Sequence, residues 1–228
     1  MDAAVPLDVV VPCLDAADAL PALIAALAGA GPGLRLIVAD GGSRDGTAAV
    51  AAAAGATVVH APRGRGTQLA AGAGAGRAPW LLFLHADTRP AAGWRTAVDA
   101  FTADPANARR AACFRLRFDS AAPAARRVER LAAWRSRALG LPYGDQGLLI
   151  ARAFYEALGG FRPLPLMEDV DLVRRIGRSR LITLPVDAVT SAARYERDGW
   201  RLRPARNLLC LALYFAGVPP GVIRRLYG

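Results

Sequence analysis

The stretch LLFLHADTRP, Leu81 to Pro90, decides the fold. With Trp80 before it, its first half is a near-continuous apolar run, as in a strand covered on both faces within a parallel sheet. The run closes on His85, Ala86 and Asp87. Open α/β sheets place their ligands at the carboxyl ends of their strands, so Asp87 stands where chemistry is expected.

Upstream, residues 8–13 (DVVVPC), 35–39 (RLIVA) and 57–60 (TVVH) read as three more short buried strands closed by turn residues. Helical patterns near 16–29, 45–54 and 67–77 lie between them. This alternation predicts an α/β fold with a parallel, doubly wound sheet. Downstream the order is less regular. A helix near 91–103 and a strand near 112–118 precede a helix near 126–139, with Val128, Leu131, Trp134 and Ala138 at helical spacing. GDQGLLIAR follows, then a short helix near 152–158, a helix starting at Met167, a strand near 181–187 and a helix near 204–216. No repeat and no long linker divides the chain, so one domain is expected over its 228 residues.

The formal net charge is +10, and all 29 basic residues are arginine. Heavy use of alanine beside arginine points to a GC-rich genome, with the arginines on solvated faces. An anionic partner, a phosphorylated substrate or an acidic lipid surface, is the other reading. No nucleic-acid partner is expected. Cys13, Cys113 and Cys210 are widely spaced in apolar segments, which fits reduced packing thiols and rules out a cysteine zinc site. The amino-terminal MDAAVPLDVVVP carries acid where a signal peptide needs base, and the apolar run Leu208–Val218 falls short of the roughly 20 residues that span a bilayer. The expectation is a soluble cytoplasmic protein.

Three polar loops follow apolar strands: Pro12 to Asp15, Asp40 to Thr47 (DGGSRDGT) and His85 to Thr88. Each falls at the sheet edge where a nucleotide would sit. Ser43 or Asp45 can cap the following helix, and a plain strand-to-helix turn is the competing reading of that loop. A dinucleotide fold wants G-x-G-x-x-G after the first strand, where this chain has PCLDAA, and a Walker loop is excluded without lysine. GAGAG at 72–76 lacks the spacing and reads as packing or a helix end.

With these strands, DGGSRDGT, HADT, Gly144-Asp145-Gln146-Gly147, Met167-Glu168-Asp169-Val170-Asp171 and the segment Ser191 to Gly199 in view, the chain resembles the family 2 glycosyltransferases of the GT-A fold. It is most similar to a compact bacterial subgroup. The resemblance implies a Rossmann-like, mostly parallel sheet flanked by helices, with a nucleotide-sugar half over 1–110 and an acceptor half with a C-terminal helical region over 111–228. It also implies transfer of a sugar from a UDP- or GDP-sugar to an unidentified acceptor, assisted by a divalent cation, manganese or magnesium, with inversion.

By the same resemblance Leu14, Asp15, Asp40, Arg65 and His85 hold the nucleotide, and Asp87 is the metal ligand. Asp15 stands where relatives carry glutamate, Ala70 where they carry asparagine, and His85 replaces the first acid of the family's D-x-D. Asp145 and Gln146 are expected beside the acceptor, a plain turn being the alternative. Asp169 matches the family's catalytic base, and a carboxylate is ionised at neutral pH without tuning. Acids in a helix's first turn are also favoured by the helix dipole, so a structural reason for Glu168 and Asp169 stands beside the chemical one. Arg194, Tyr195, Arg197 and Trp200 would close over the diphosphate or form a solvated basic segment.

Two other classes are open at this stage. One is a sugar-phosphate nucleotidylyltransferase, which shares such a sheet but carries a glycine- and lysine-containing loop after its first strand. The other is a non-catalytic nucleotide-sugar or membrane-surface module. The apolar helix Leu208 to Phe215, flanked by Arg201, Arg203, Arg206, Arg224 and Arg225, would rest on acidic lipid at the inner membrane face.

Overall fold

The computed structural model describes residues 5–227. The first half runs β1 (Leu7–Cys13), α1 (Leu20–Leu27), β2 (Leu34–Asp40), α2 (Thr47–Ala53), β3 (Thr57–His60), α3 (Arg65–Ala75) and β4 (Trp80–Phe83). The second continues with β5 (Thr88–Pro90), α4 (Trp94–Ala103), β6 (Ala111–Phe118), α5 (Pro123–Leu139), β7 (Leu148–Ala151), α6 (Arg152–Ala157) and α7 (Glu168–Ile176). It ends with β8 (Leu181–Thr190), α8 (Ala193–Asp198), α9 (Leu202–Phe215) and α10 (Pro220–Tyr227).

All eight strands join one sheet in the order β3-β2-β1-β4-β7-β6-β8-β5. The pairs β3–β2, β2–β1 and β1–β4 are parallel, as the alternation of strand and helix predicts. Beyond β4 the sheet is mixed: β7 runs antiparallel to β4 and β6, β8 is parallel to β6, and β5 is antiparallel to β8. The parallel arrangement read from the alternating first half is present there, and the less regular second half is where the sheet turns mixed. β5 has three residues and ends in Pro90, which an edge strand tolerates and an interior strand does not.

The central strands are apolar because both faces are covered: Val9, Val10 and Val11 of β1 and Leu81 and Leu82 of β4 have no exposed surface. GAGAG is both packing and a helix end: α3 stops within it, and Gly72 and Gly76 are closely packed while Gly74 faces open space. A methyl group on Gly72 would sit 2.5 Å from Val10 Cγ1, and one on Gly76 would overlap the Asp8 carboxylate. Asp8 is buried near the start of β1, where it accepts from Ala78 N and from Arg152 Nη2, each at 2.8 Å. Arg152 also donates to the carbonyls of Ala73 and Ala78, tying α6 to the end of α3. These bonds satisfy the buried charge at the amino ends of the strands, which leaves the carboxyl ends open for ligand.

Cys13, Cys113 and Cys210 are free and buried. Burial pushes the Cys13 thiol up to about 12 and Cys113 to about 11, so both stay protonated packing groups. Among the described residues no helix is long and apolar enough to cross a membrane.

Candidate active site

Two adjoining cavities open at the carboxyl ends of β1 and β4. The larger, about 400 Å³, is lined by Leu14 and Asp15 after β1, by Gly64 and Arg65 at the start of α3, and by His85 and Asp87 after β4. The smaller, about 120 Å³, takes Tyr143, Asp145, Asp169 and Asn207 from the second half of the chain. Arg65, His85, Asp87 and Arg194 line both, so the two form one cleft with Asp87 at the junction.

The first wall is a cross-braced pair of loops. Asp15 N donates to Ser43 Oγ at 3.0 Å, and Asp15 Oδ1 accepts from Arg44 N at 2.8 Å. Asp45 accepts from Ala17 N and from Thr47 N, so it ties the start of α2 to the loop after β1, while the cap position itself falls on Gly46 and not on Ser43 or Asp45. Gln68 Nε2 donates to the carbonyls of Cys13 and Ala39, at 2.6 and 2.9 Å, clamping the ends of β1 and β2 together.

Asp40 departs from the expectation that it faces the nucleotide. It is buried and accepts from the N–H groups of Gly42 and Ser43 and from the Ser43 hydroxyl, and it lies outside the lining of both cavities. Its carboxylate serves its own turn and also faces His60 Nδ1 at 3.5 Å, so it shapes the Asp15 loop from behind.

At the junction, His85 is held neutral. Burial pushes its imidazole down to about 3, helped by the Arg65 and Arg194 guanidinium groups and opposed by Asp169. Asp87 is partly exposed, and Arg194 Nη2 lies 3.8 Å from its Oδ2. Arg65 Nη1 bonds Glu168 Oε1 at 3.2 Å, and its side chain is 41% exposed, so further donors face the cleft. Burial and the neighbouring Asp169 push the Glu168 carboxyl up, while Arg65 opposes them.

The far wall joins two motifs. Met167, at φ +66°, is the cap of α7, whose Val170, Leu172, Val173 and Ile176 are buried. Acids in its first turn and Arg174 and Arg175 in its last match the helix dipole. Asp169 Oδ2 accepts from Gly144 N at 2.8 Å, so the Gly144–Gly147 loop and the helix start are one unit. Asp145 Oδ1 is buried with no hydrogen-bond partner. Burial raises its carboxyl to about 6, with Arg135 pulling it back and Asp169 and Asp87 adding to the rise.

Asp15, at φ +49°, and Met167 are the two non-glycine residues with positive φ among the described residues, and both line the cleft. Strain of this kind, of order 1–3 kcal/mol per residue, collects where function requires it.

Gln146 corrects the expected acceptor role. Its amide is buried, accepting from Ser136 Oγ at 2.8 Å and Arg135 Nη2 at 3.2 Å and donating to the Phe114 carbonyl at 3.1 Å. Both ends are engaged, so it pins the loop to β6 and α5. Trp200 stacks on Tyr195 and packs edge-on against Phe118, with Tyr195 alone of these two aromatics reaching the cleft. Arg197 is exposed and paired with Asp198.

Tyr143, Arg203, Asn207 and Tyr227 line the cleft and were not expected there. Arg203 and Asn207 left a signal: with Arg206 they put three polar residues within five positions at the start of a helix whose remainder is apolar. Tyr227 left none, because α10 is placed by long-range packing.

Asp87 and the unpartnered Asp145 oxygen offer hard carboxylate donors to the same cavity, and the neutral His85 a borderline one. Among the described residues, however, no three His, Cys, Asp or Glu side chains converge to cage a metal. Such a set fits a cation that brings most of its ligands along, as magnesium does with phosphate oxygens and water.

Residues 8–131 match the family model described as glycosyl transferase family 2. The chain belongs to that family. Uncharacterized glycosyltransferases of Mycobacterium tuberculosis and Mycobacterium bovis are 43% identical to it over 86 residues, 37% of this chain and 38% of each relative. The match thus spans well under half the length of these curated relatives. Among solved structures, a mannosyltransferase from Pyrobaculum calidifontis in complex with GDP-Man and Mn2+ superposes at TM-score 0.69 with 17% identity, covering 99% of this chain and 69% of that one. Glucosyl-3-phosphoglycerate synthase from Mycobacterium tuberculosis, in complex with Mn2+, UDP and glucosyl-3-phosphoglycerate, superposes at TM-score 0.64 with 20% identity, over 94% and 81%. The family 2 chain therefore has the mixed-sheet GT-A fold of these transferases.

Proposed function

We propose that the protein transfers a glycosyl residue from a nucleoside diphosphate sugar to an acceptor hydroxyl, with inversion. The observation that carries the reading is that Asp87 and Asp169 face one cleft from opposite halves of the chain. Leu14, Asp15 and Arg65 would hold the nucleotide in the larger cavity, and the acceptor would enter the smaller one beside Asp145. Residues 1–110 would then serve the donor and 111–228 the acceptor.

Asp87, with His85 and the donor's diphosphate, would hold the divalent cation, which supplies charge neutralisation for the departing nucleoside diphosphate. Arg65 and Arg194 face the same diphosphate and add donors that work best in a cleft shielded from water. Asp169 takes the proton of the acceptor hydroxyl as its oxygen attacks the anomeric carbon, and the bond from that carbon to the diphosphate breaks on the opposite side. Gly144 N and Val170 N each occupy one lone pair of the Asp169 carboxylate, one on either oxygen, and leave the other two for this proton. The family match supports transfer over the nucleotidylyl alternative.

A thermal-shift screen of UDP, GDP and their sugars, with and without manganese or magnesium, tests the reading. Stabilisation that needs both nucleotide and metal is expected, about 2.7 kcal/mol at a hundredfold excess over Kd, and it vanishes in Asp87→Ala. Metal-independent binding that survives Asp87→Ala would overturn the assignment.

A further inference from the structure

We propose that α9 and α10 form a docking face for an anionic lipid bilayer. A surface helix ordinarily turns its polar residues outward. α9 is reversed: its exposed residues are Leu202, Ala205, Leu208, Leu209, Ala212 and Phe215, all apolar, with Leu202 74% and Leu208 60% exposed. Its polar residues turn inward. Arg203 is buried against Asp198 at 2.6 Å, Arg206 reaches the same carboxylate at 3.2 Å, and Asn207 lines the cleft. α10, packed beside it, adds exposed Val222 and Leu226.

Charge selects the occupant. From Gly199 onward the chain holds Arg201, Arg203, Arg206, Arg224 and Arg225 and no acid. Asp198 engages Arg203 and Arg206, and Arg224 borders the larger cavity, which leaves Arg201 and Arg225 exposed beside the apolar residues. A second copy docked through the same face would bring two sets of these arginines into one interface, and from Gly199 onward neither copy has an acid to pair with them. Anionic headgroups neutralise them while the outer acyl region takes the leucines, the pairing that holds interfacial helices on membranes.

The exposed apolar residues of α5, Leu131, Trp134 and Leu139, alternate with Arg127, Arg130 and Arg137 and form no such continuous face. The inner side of α9 and α10 supplies Arg203, Asn207 and Tyr227 to the cleft. A docked helix pair would therefore hold the cleft about 10 Å, one helix diameter, from the lipid surface. The docking face stands independently of the transferase reading.

Co-sedimentation of the full chain with phosphatidylcholine vesicles, alone or mixed with phosphatidylglycerol, tests the proposal. The protein is expected to pellet with the anionic vesicles and to remain in solution with the neutral ones. Leu208→Glu with Leu209→Glu should weaken binding at least tenfold while circular dichroism stays unchanged. Arg201→Ala with Arg225→Ala should weaken it about 30-fold, roughly fivefold for each arginine at an anionic surface. Leu202→Glu repeats the test if the double leucine variant unfolds, and Leu131→Glu should leave binding within about twofold. Failure to pellet with anionic vesicles would overturn the proposal. So would binding lost in Leu131→Glu but kept in the α9 variants, or light scattering that shows self-association through Leu208 and Leu209 without vesicle binding.

Discussion

The backbone N–H of Gly144 donates to Asp169 Oδ2 at 2.8 Å, joining two motifs 25 residues apart into one wall of the cleft. Position 144 has no room for a side chain: a methyl group there would lie 2.5 Å from His85 Nε2. Gly144→Ala must displace either the imidazole or the loop that orients Asp169. Overpacking of this kind costs about 1–3 kcal/mol. Urea denaturation should show a loss of that size, and transfer activity should fall further than stability alone accounts for.

Asp169→Asn keeps the size of the side chain and removes its basicity. Placed as general base, the residue should lose about 10²–10⁴-fold in kcat, while KM for the nucleotide sugar stays within about twofold. Steady-state kinetics with saturating acceptor separates the two. An equal rise in KM with kcat preserved would make Asp169 a binding residue, held by Gly144 and the helix dipole alone.

Asp145 makes stability pH-dependent in a direction set by burial. Its carboxyl sits at about 6 in the folded protein against an ordinary 3.8. Between those values the native state binds more protons than the unfolded chain, so this group's contribution falls as pH rises from about 4 to 6 and is level above. Asp145→Asn removes the buried charge and should raise stability above pH 6 by on the order of 1–2 kcal/mol, a discounted share of the shift. It should have little effect at pH 4. Thermal melts of both proteins across pH 4–8 check the sign. A variant less stable than the parent at pH 8 would contradict it.

Much of this was legible in the sequence because burial writes itself into composition. The apolar runs of β1, β2 and β4 marked a parallel sheet, and the acid that ends the last of these runs marked the ligand side. Asp87 and Asp169 proved to share a cleft. What stayed hidden was the direction in which polar side chains point. Asp40 and Gln146 carry the right chemistry in the right loops, yet both are consumed by internal hydrogen bonds that depend on partners far along the chain or on local turn geometry. The mixed half of the sheet was equally silent, because β5 is too short to show a period and β7 joins between β4 and β6 by long-range pairing.

Gln146 separates support from recognition. Gln146→Ala leaves the Phe114 carbonyl, the Ser136 hydroxyl and one Arg135 donor without their partner, and each buried orphan costs about 1–3 kcal/mol when water cannot reach it. Arg135 still bonds the Leu141 carbonyl at 2.7 Å, so the collapse is partial and a net loss of about 2–4 kcal/mol is expected. At a temperature where the variant remains folded, its acceptor KM should stay close to that of the parent, because no atom of the side chain reaches the cleft. Denaturant melts and acceptor titrations on one preparation give both quantities. A large rise in acceptor KM with stability intact would return Gln146 to the binding site and displace the internal hydrogen bonds as its role.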